Sequence, residues 1–427
     1  MGKSLDQLNK YIKINEKWLI MKLKTNKVRS NVMKIIINEG IKDIRKYEIM
    51  PLLTQEQIKE AFTQVLNKID INLDTFTYKF PADSSQGNVY PAIENAKSWG
   101  TGFWTGMLWL AYEVTGDAKY RKVAEIQLES FKKRIDEKIG VNHHDMGFLY
   151  SPSCVAAYKL TGNEMARDSA IKAAEHLATR YREKGGFIQA WGDINDPTKY
   201  RLIIDCLMNI PLLFWTGEVT KDSKYYDIAY NHLKTTMANI FREDASAYHT
   251  YYFDPETGAP VKGVTHQGYS NDSCWARGQA WGLYGLALGH AYTGDKGIIE
   301  LYKKVANYFL NRLPEDYVCY WDLIFTSGNE ERDSSAAAIA VCGLLQMNKV
   351  LADTDPDKKM YSNAAQLILK SLIENYSTKH IPESNGLLLH AVYAKPQGIG
   401  VDECNIWGDY YYMEALVRLM KDWNLYW

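Results

Sequence analysis

The acid best placed to do chemistry is Asp205, which lies in the apolar run LIIDCLMNIPLLFW over residues 202–215. An ionised carboxylate is costly to desolvate there, so Asp205 should either keep its proton or have a dedicated partner. A carboxyl group that stays protonated near neutral pH can act as a general acid. The alternative interpretation is a buried structural aspartate that accepts hydrogen bonds from backbone N–H groups near a helix start.

A second acid, Asp145, follows His143 and His144 and precedes Gly147. These neighbours predict a better hydrated carboxylate than Asp205. Two carboxylates in unlike environments are what acid and base chemistry on a glycoside requires. Both acids could instead be helix caps or structural anchors, and the residue types alone leave this open.

The histidines and glutamine that accompany these acids include His144, His249, His266 and Gln267. Neither an HxH nor an HExxH spacing is present, so the pattern favours hydrogen-bond donors to a substrate over a metal site. No cofactor is indicated.

Tryptophans gather at the polar ends of apolar segments, among them Trp104, Trp275 and Trp281. They can be core residues or platforms on which a sugar ring stacks. Arg277 lies among Trp, Gly and Ala, and a buried arginine needs a carboxylate partner. Its candidate partners are Asp145, Asp205 or a uronate of the substrate.

One turn motif divides the chain into helix pairs. Thr-Gly-Asp, or a close variant, begins at residues 115, 161, 220, 293 and 354. The Gly ends one helix, and the Asp or Asn caps the next. The segment before each turn is apolar on most faces, as in a buried helix, and the segment after it is amphipathic. The pattern predicts five pairs of an inner and an outer helix.

Two unpaired helices complete a ring. An early amphipathic helix over residues 55–71 and a last apolar helix over residues 406–420 form a sixth pair. We therefore predict an all-α fold, an (α/α)6 barrel, as a single catalytic domain over residues 51–427. Residues 1–50 hold 12 Lys and Arg against 5 Asp and Glu. They are predicted to form a basic helical leader packed on or flanking the barrel.

In such a ring all inner helices begin at the same pole, so their polar first residues meet at one mouth. Helix N-termini and arginines at this mouth favour an anionic ligand. A stretch without helical periodicity, about residues 244–273, carries His249, His266 and Gln267. Its length predicts a functional wall or lid.

Composition excludes several classes of protein. The net charge of −1 argues against nucleic acid as a partner. No apolar run of about 18 residues could span a membrane, and the N-terminus lacks a secretory apolar region. The six cysteines lie far apart without ligand spacing, as expected of reduced thiols in a cytoplasmic protein. The chain is expected to be a monomer or a homodimer.

Four long motifs resemble the unsaturated glucuronyl hydrolases, glycoside hydrolase family 88. They are HHDMGFLYSPS (143–153), RLIIDCLMNIPLLFW (201–215), THQGYSNDSCWARGQAWGLYG (265–285) and GVDECNIWGDYYYMEAL (400–416). The resemblance extends over about residues 95–420 and implies an (α/α)6 barrel.

The resemblance also implies a reaction and a set of site residues. The enzymes remove a 4,5-unsaturated glucuronic acid from the non-reducing end of oligosaccharides that polysaccharide lyases produce, by hydrating the C4=C5 vinyl ether. Asp205 matches the catalytic acid/base, and Asp145 matches a second aspartate in a supporting role. The positions that line the subsite for the unsaturated sugar are matched by Trp104, His144, His249, Gln267, Arg277 and Trp281.

One loop departs from part of the family. Members that favour sulfated glycosaminoglycan disaccharides carry Ser and Lys just before GVDE, whereas residues 394–399 here read Ala-Lys-Pro-Gln-Gly-Ile. The difference predicts a preference for unsulfated or differently sulfated substrates.

Two rival functions remain open. The first is an unsaturated rhamnogalacturonyl hydrolase, which shares the barrel and the double-bond chemistry but acts on pectin fragments. The second is a non-catalytic sugar-binding barrel in which Asp205 is structural. The HHD, IIDC and WARGQAW motifs fit the glucuronyl family better than the first rival.

Overall fold

The structure, a computed structural model, describes residues 35–50 and 52–427. The chain divides into two units after Ile35, and the following description concerns the second, residues 36–427. Residues 36–50 of this unit contain a 3-10 helix, Ile44–Tyr47, and the Tyr47 hydroxyl donates to the Leu310 carbonyl at 2.5 Å. Residues 1–34 of the predicted helical leader lie outside the described residues, and the leader stays a prediction.

Six inner and six outer helical segments alternate along the described part of the chain. In order they are α1 (Gln55–Asn72), α2 (Thr101–Thr115), α3 (Ala118–Asp136), α4 (Met146–Tyr150), α5 (Ala156–Thr161), α6 (Glu164–Ala178), α7 (Pro211–Thr220), α8 (Ser223–Asn239), α9 (Ala276–Thr293), α10 (Lys296–Leu310), α11 (Ser334–Asn348), α12 (Pro356–Ser371) and α13 (Ile406–Met420). The inner segments are α2, α4 with α5, α7, α9, α11 and α13. A π-helical turn, Ser151–Val155, joins α4 to α5. The predicted (α/α)6 barrel is confirmed.

The predicted turns set the register of this alternation. Gly116, Gly162 and Gly294 end inner helices in the left-handed conformation, and Asp117 and Asn163 cap the outer helices that follow. Inner helices are buried on every face: α9 is buried without interruption from Ala276 to Gly289. Outer helices such as α3 bury one stripe and expose the charged residues between, as their amphipathic sequences require.

The described residues also contain short antiparallel strands. They are β1 (Phe80–Pro81), β2 (Ala92–Ile93), β3 (Tyr181–Arg182), β4 (Phe187–Ile188), β5 (Arg201–Ile203), β6 (Thr250–Phe253), β7 (Pro260–Val264), β8 (Ala391–Ala394) and β9 (Ile399–Glu403). The pairs are β1 with β2, β3 with β4 and β8 with β9, while β5, β6 and β7 form a three-stranded sheet. The stretch without helical periodicity is therefore a hairpin, β6–β7, that adds to β5.

The inner helix predicted before the turn at residue 220 was expected to include the apolar run 202–215, and it is wrong in the first half of that run. Residues 201–203 form β5, Ile204–Met208 form a 3-10 helix, and α7 begins only at Pro211. Pairing of Ile203 with Thr250 holds the chain extended, and a proline fits the first turn of a helix, where its missing N–H is not needed. Asp205 therefore lies in a tight turn between a strand and a helix.

Close packing fixes this turn against the barrel. A Cβ on Gly285 of α9 would lie 2.3 Å from the Leu207 Cβ, so only glycine allows this approach. The 3-10 helix that carries Asp205 thus rests directly on the inner helix that carries Arg277.

Candidate active site

Strand β5 brings His249 beside Asp205. The Ile204 N–H donates to the His249 carbonyl at 3.1 Å, which continues the β5–β6 pairing by one residue. Asp205 follows at once in the first turn of the 3-10 helix. A backbone ladder, rather than a helix, therefore sets the position of the acid.

The Asp205 carboxyl is poised to hold a proton. Burial raises its pKa to about 7, the negative charge of Asp145 adds to the rise, and Arg277 opposes it. Its Oδ1 is buried and has no hydrogen-bond partner among residues 35–50 and 52–427. A buried carboxyl oxygen without a protein partner is free to meet a substrate, which argues against the structural interpretation of Asp205.

The Asp145 carboxyl, in contrast, is ionised. It is the first residue before α4, with His143 Nδ1 3.2 Å from its Oδ2 and His144 Nε2 3.3 Å from its Oδ1. Burial acts to raise its pKa, but His144, His143 and a hydrogen bond from Asn209 outweigh burial and lower the pKa below its usual value. Asp145 is therefore an ionised carboxylate at neutral pH.

Asn209 ties the two acids together. Its Nδ2 donates to the Asp205 carbonyl at 3.3 Å, and its Oδ1 accepts from the Phe148 N–H at 3.0 Å. A Cβ on Gly147 would lie 2.4 Å from the Asn209 Cα, so glycine is needed for this contact between α4 and the 3-10 helix. Asn209 follows Asp205 by four residues in the sequence, a spacing that could have revealed it, but it was not among the predicted site residues.

His144 and His249 are both neutral. Burial lowers the pKa of His144 to about 4 and, aided by the charges of His266 and Arg277, lowers the pKa of His249 well below its usual value. The His249 Nδ1 accepts from the backbone N–H groups of His266 at 3.1 Å and Gln267 at 3.3 Å. Its proton therefore resides on Nε2, and His249 offers a donor to a ligand.

Arg277 does not pair with either catalytic candidate. It forms a buried salt bridge with Asp333, Nη1 to Oδ2 at 3.0 Å, so the predicted partners Asp145 and Asp205 are wrong for this bond, and a uronate of the substrate stays a prediction. Its Nη2 donates to the Gln267 Oε1 at 3.1 Å. Arg277 therefore holds the Gln267 side chain and is also one of the charged groups that act on Asp205.

Of the predicted tryptophans, Trp281 packs beside helix α4, which Asp145 precedes, whereas Trp104 packs elsewhere. The Trp281 ring lies 5.1 Å from Phe148, which follows Asp145 in α4, and its Nε1 has no partner among the described residues. The buried Trp104 instead packs on Phe76 and donates from Nε1 to the Phe76 carbonyl at 3.1 Å. Its described contacts point to a core residue.

Trp99 lies where Trp104 was expected. It is partly exposed, its ring is 5.3 Å from Phe148 and 5.0 Å from Trp407, and its Nε1 donates to the Tyr393 hydroxyl at 2.9 Å. Its position between Ser98 and Gly100, ahead of α2, was visible in the sequence. The structure therefore brings together all the predicted site residues except Trp104.

The described residues contain neither a candidate metal site nor a membrane-spanning helix. Among the described residues no group of three or more His, Cys, Asp or Glu side chains could hold a metal ion. Likewise, no helix in residues 35–50 and 52–427 has the length and apolar character to cross a membrane.

Comparison with known proteins gives the family. Residues 72–424 match Glycosyl Hydrolase Family 88. An unsaturated chondroitin disaccharide hydrolase of Streptococcus pneumoniae is 51% identical over 397 residues, which cover 93% of this chain and 100% of the relative. An unsaturated glucuronyl hydrolase of Bacillus sp. is 44% identical, with 86% of this chain and 98% of the relative covered.

Solved structures agree. The crystal structure of an unsaturated glucuronyl hydrolase from Streptococcus agalactiae matches with a TM-score of 0.91 at 50% identity, covering 93% of this chain and 100% of that one. A mutant of that enzyme complexed with dGlcA-GalNAc6S matches with a TM-score of 0.84 at 47% identity, with the same coverage.

A pair of carboxylates in unlike states on an (α/α)6 barrel suits a glycoside hydrolase. The chain belongs to Glycosyl Hydrolase Family 88, as the four motifs predicted.

Proposed function

We propose that this enzyme removes the 4,5-unsaturated glucuronic acid from the non-reducing end of glycosaminoglycan oligosaccharides that lyases produce. The observation that carries the proposal is the pair of unlike acids, Asp205 protonated near neutral pH and Asp145 ionised. Its similar relatives are named for unsaturated glucuronyl and chondroitin disaccharide substrates. We place the enzyme in the cytoplasm, because its six cysteines are buried and unpaired, and expect a monomer or homodimer.

Asp205 is the proposed proton donor. Its proton passes to C4 of the unsaturated ring, and the C4=C5 electron pair forms the new C–H bond. Positive charge then develops at C5 and on the ring oxygen, and a water adds to C5 while its proton returns to the Asp205 carboxylate. The hemiketal formed at C5 opens and releases the remaining saccharide, so one water is consumed for each turnover.

Asp145 stabilises the positive charge that develops during protonation. An ionised carboxylate in a site of low dielectric acts more strongly than it would in water, and it needs no reorganisation if it is already charged. The contacts of Asp145 with His143 and His144 keep it in that state. Removing its charge should therefore slow the protonation step rather than prevent binding.

Neutral donors bind the substrate. His249 offers Nε2–H, and Gln267, whose Oε1 is occupied by Arg277, offers Nε2–H2. Such donors suit the carboxylate and hydroxyl oxygens of a uronic acid. Trp281 and Trp99 supply aromatic surfaces beside them.

The test is a panel of lyase-generated disaccharides followed by ultraviolet absorbance of the conjugated uronate. We expect loss of absorbance with unsaturated glucuronyl substrates. Turnover of unsaturated rhamnogalacturonyl fragments alone would identify the pectin-directed rival. Binding without any absorbance change would identify a sugar-binding barrel.

The two acids predict a defined pH dependence. The active form needs Asp205 protonated and Asp145 ionised, so kcat/KM should fall as pH rises through about 7, the raised pKa of Asp205. On the acid side kcat/KM should hold until the pH falls below the ordinary range of an aspartate, because the pKa of Asp145 is lowered. A profile that stays flat from neutral pH to well above 8 would refute these protonation states.

Substrate sulfation should matter because of Lys395. Its Nζ is bonded to the Glu330 Oε2 at 2.6 Å and also to the Glu331 carboxylate, so its charge is already neutralised. Gln397 of the same loop donates to the His266 carbonyl at 2.9 Å, so this loop borders the site. A sulfate on the second sugar would find two glutamates and no free cation on this loop.

We therefore expect the unsulfated chondroitin disaccharide to have a kcat/KM at least about tenfold above that of its sulfated form, the cost of about one unpaired charge at a partly exposed site. Glu331→Gln, which removes one of the two negative charges, should narrow this ratio. Asp353→Asn, which breaks the ion pair between Asp353 and Lys358 elsewhere on the molecule, is the control and should leave the ratio unchanged. Equal turnover of sulfated and unsulfated disaccharides would contradict the prediction.

A further inference from the structure

The four terminal N–H groups of Arg277 are all used by the protein. Nη1 donates to the Asp333 Oδ2 at 3.0 Å and to the Val392 carbonyl, and Nη2 donates to the Gln267 Oε1 at 3.1 Å and to the Tyr393 carbonyl at 2.6 Å. The side chain is 2% exposed. A guanidinium held in this way has no terminal N–H left for a substrate carboxylate.

Aromatic rings enclose the same guanidinium. Its carbon lies 4.4 Å from the centre of the Trp275 ring and 5.0 Å from that of Trp407. His249 in turn packs against Trp275, with the two ring centres 4.3 Å apart. Arg277 is therefore a rigid charge behind the binding surface and not a flexible ligand of the substrate.

Asp333 anchors this charge to an inner helix. It is fully buried and caps α11, where its Oδ1 accepts from the Ser335 N–H at 3.1 Å, the Ser335 hydroxyl at 2.5 Å and the Ala336 N–H at 3.2 Å. Its other oxygen is left for Arg277. Both oxygens are thus committed, one to the helix and one to the guanidinium.

This arrangement fixes which end of the Gln267 amide points away from Arg277. Because Arg277 can only donate, Gln267 must turn its carbonyl oxygen toward Arg277 and its NH2 group away from it. Without a fixed guanidinium, the amide could turn over and present an acceptor to an anionic substrate. The orientation of Gln267 therefore depends on Asp333, which it does not contact.

The same pair sets the charge beside Asp205. The charged groups that act on the Asp205 carboxyl are Asp145, from α4, and Arg277, from α9. Arg277 acts to ionise Asp205, and the carboxylate of Asp333 offsets part of that effect.

We propose that Asp333 is a positioning residue of this enzyme, which fixes Gln267 through Arg277 and moderates the positive charge that Asp205 experiences. The inference rests on the proposed function, since it treats Asp205 as the proton donor. Asp333 touches neither substrate nor reacting atoms, so its influence passes through Arg277 alone.

Asp333→Asn tests the proposal because asparagine also caps a helix and can accept from Ser335 and Ala336. With the negative charge removed, Arg277 lowers the pKa of Asp205, so the fall of kcat/KM with rising pH should move to lower pH by about 0.5–1 unit. KM should rise several-fold as Gln267 loses its fixed orientation. Asp333→Ser, a second neutral capping variant, should shift this fall, the alkaline limb of the pH profile, in the same direction.

Two controls separate positioning from stability. Asp333→Glu keeps the charge and should leave the alkaline limb within about 0.2 pH unit of the wild type, whatever its effect on KM. Glu414→Gln breaks a different buried pair, with Arg418, and should lower the melting temperature without moving the limb. The position of the limb does not depend on how much enzyme is folded, so partial unfolding cannot imitate the effect.

The outcomes are distinct. A wild-type chain that leaves the absorbance of every substrate unchanged overturns the proposed function and this inference with it. An active wild type whose alkaline limb is unmoved in both Asp333→Asn and Asp333→Ser overturns the positioning role alone. A limb shift of equal size in Glu414→Gln would overturn it as well, because the shift would then not depend on the charge that pairs with Arg277.

Discussion

Asp205→Asn is expected to lower kcat by at least about a thousandfold, equivalent to about 4 kcal/mol of barrier. The amide has nearly the same shape as the acid but has no acidic proton to deliver to carbon. Losing a positioned general acid typically costs 10²- to 10⁴-fold, and protonation of carbon by water is slow, so little alternative route remains. The measurement is the rate of absorbance loss with a saturating unsaturated disaccharide.

Binding and fold should survive this change. Asparagine removes an ionisable group whose burial is unfavourable, so the melting temperature of Asp205→Asn should equal or exceed that of the wild type, most clearly above pH 7. The sign follows from the raised pKa: the folded state resists ionisation of Asp205, which therefore weakens folding as pH rises above the unfolded pKa. Activity within about tenfold of the wild type, roughly 1.4 kcal/mol, would remove Asp205 from the role of proton donor.

Asp409 is a matched control for this experiment. Burial also raises its pKa to about 7, although hydrogen bonds act to lower it. Unlike Asp205, its oxygens accept from the Leu387 and Leu388 N–H groups and from the Tyr90 hydroxyl. Asp409→Asn should therefore lose stability but keep its turnover per folded molecule and its pH limb. A raised pKa identifies a catalytic acid here only together with an oxygen that the protein leaves unpaired.

The contrast between these acids explains part of what the sequence could predict. The raised pKa of Asp205 was foreseeable, because its neighbours along the chain are apolar and desolvation depends largely on them. The capped turns at Gly116 and Asp117 were foreseeable for the same reason, since left-handed caps and N-caps are local chemistry. Five repeats of that local pattern, with the two unpaired helices that form the sixth pair, were enough to specify the barrel.

Contacts between distant residues could not be chosen from the sequence. Arg277 had several carboxylates within its possible reach, and only the packing of α9 against α11 selects Asp333. Trp99 and Trp104 are five residues apart beside the same helix start, and the pattern of apolar residues does not distinguish them. The extended β5 likewise depends on pairing with β6, as between Ile203 and Thr250, 47 residues further on. No local propensity can supply such a partner.

The second large effect is expected from Arg418→Ala, on stability rather than on catalysis. Arg418 and Glu414 form a buried pair on α13, Nε to Oε1 at 2.9 Å, with side chains 1% and 0% exposed. The same carboxylate accepts from the Tyr284 hydroxyl and, at 2.8 Å, from the Trp427 Nε1. Removing the guanidinium leaves a buried carboxylate without its counter-charge.

We expect Arg418→Ala to lower the free energy of unfolding by about 3–5 kcal/mol, the usual cost of breaking a buried pair from one side. Equilibrium urea unfolding monitored by tryptophan fluorescence measures it. Arg418→Met with Glu414→Gln removes both charges, so the double variant should recover a large part of the loss even though it lacks the salt bridge. This recovery distinguishes an unpaired charge from a simple loss of packing, since packing losses at adjacent sites would accumulate in the double variant. An unfolding free energy of Arg418→Ala within about 1 kcal/mol of the wild type would mean that Tyr284 and Trp427 alone satisfy Glu414.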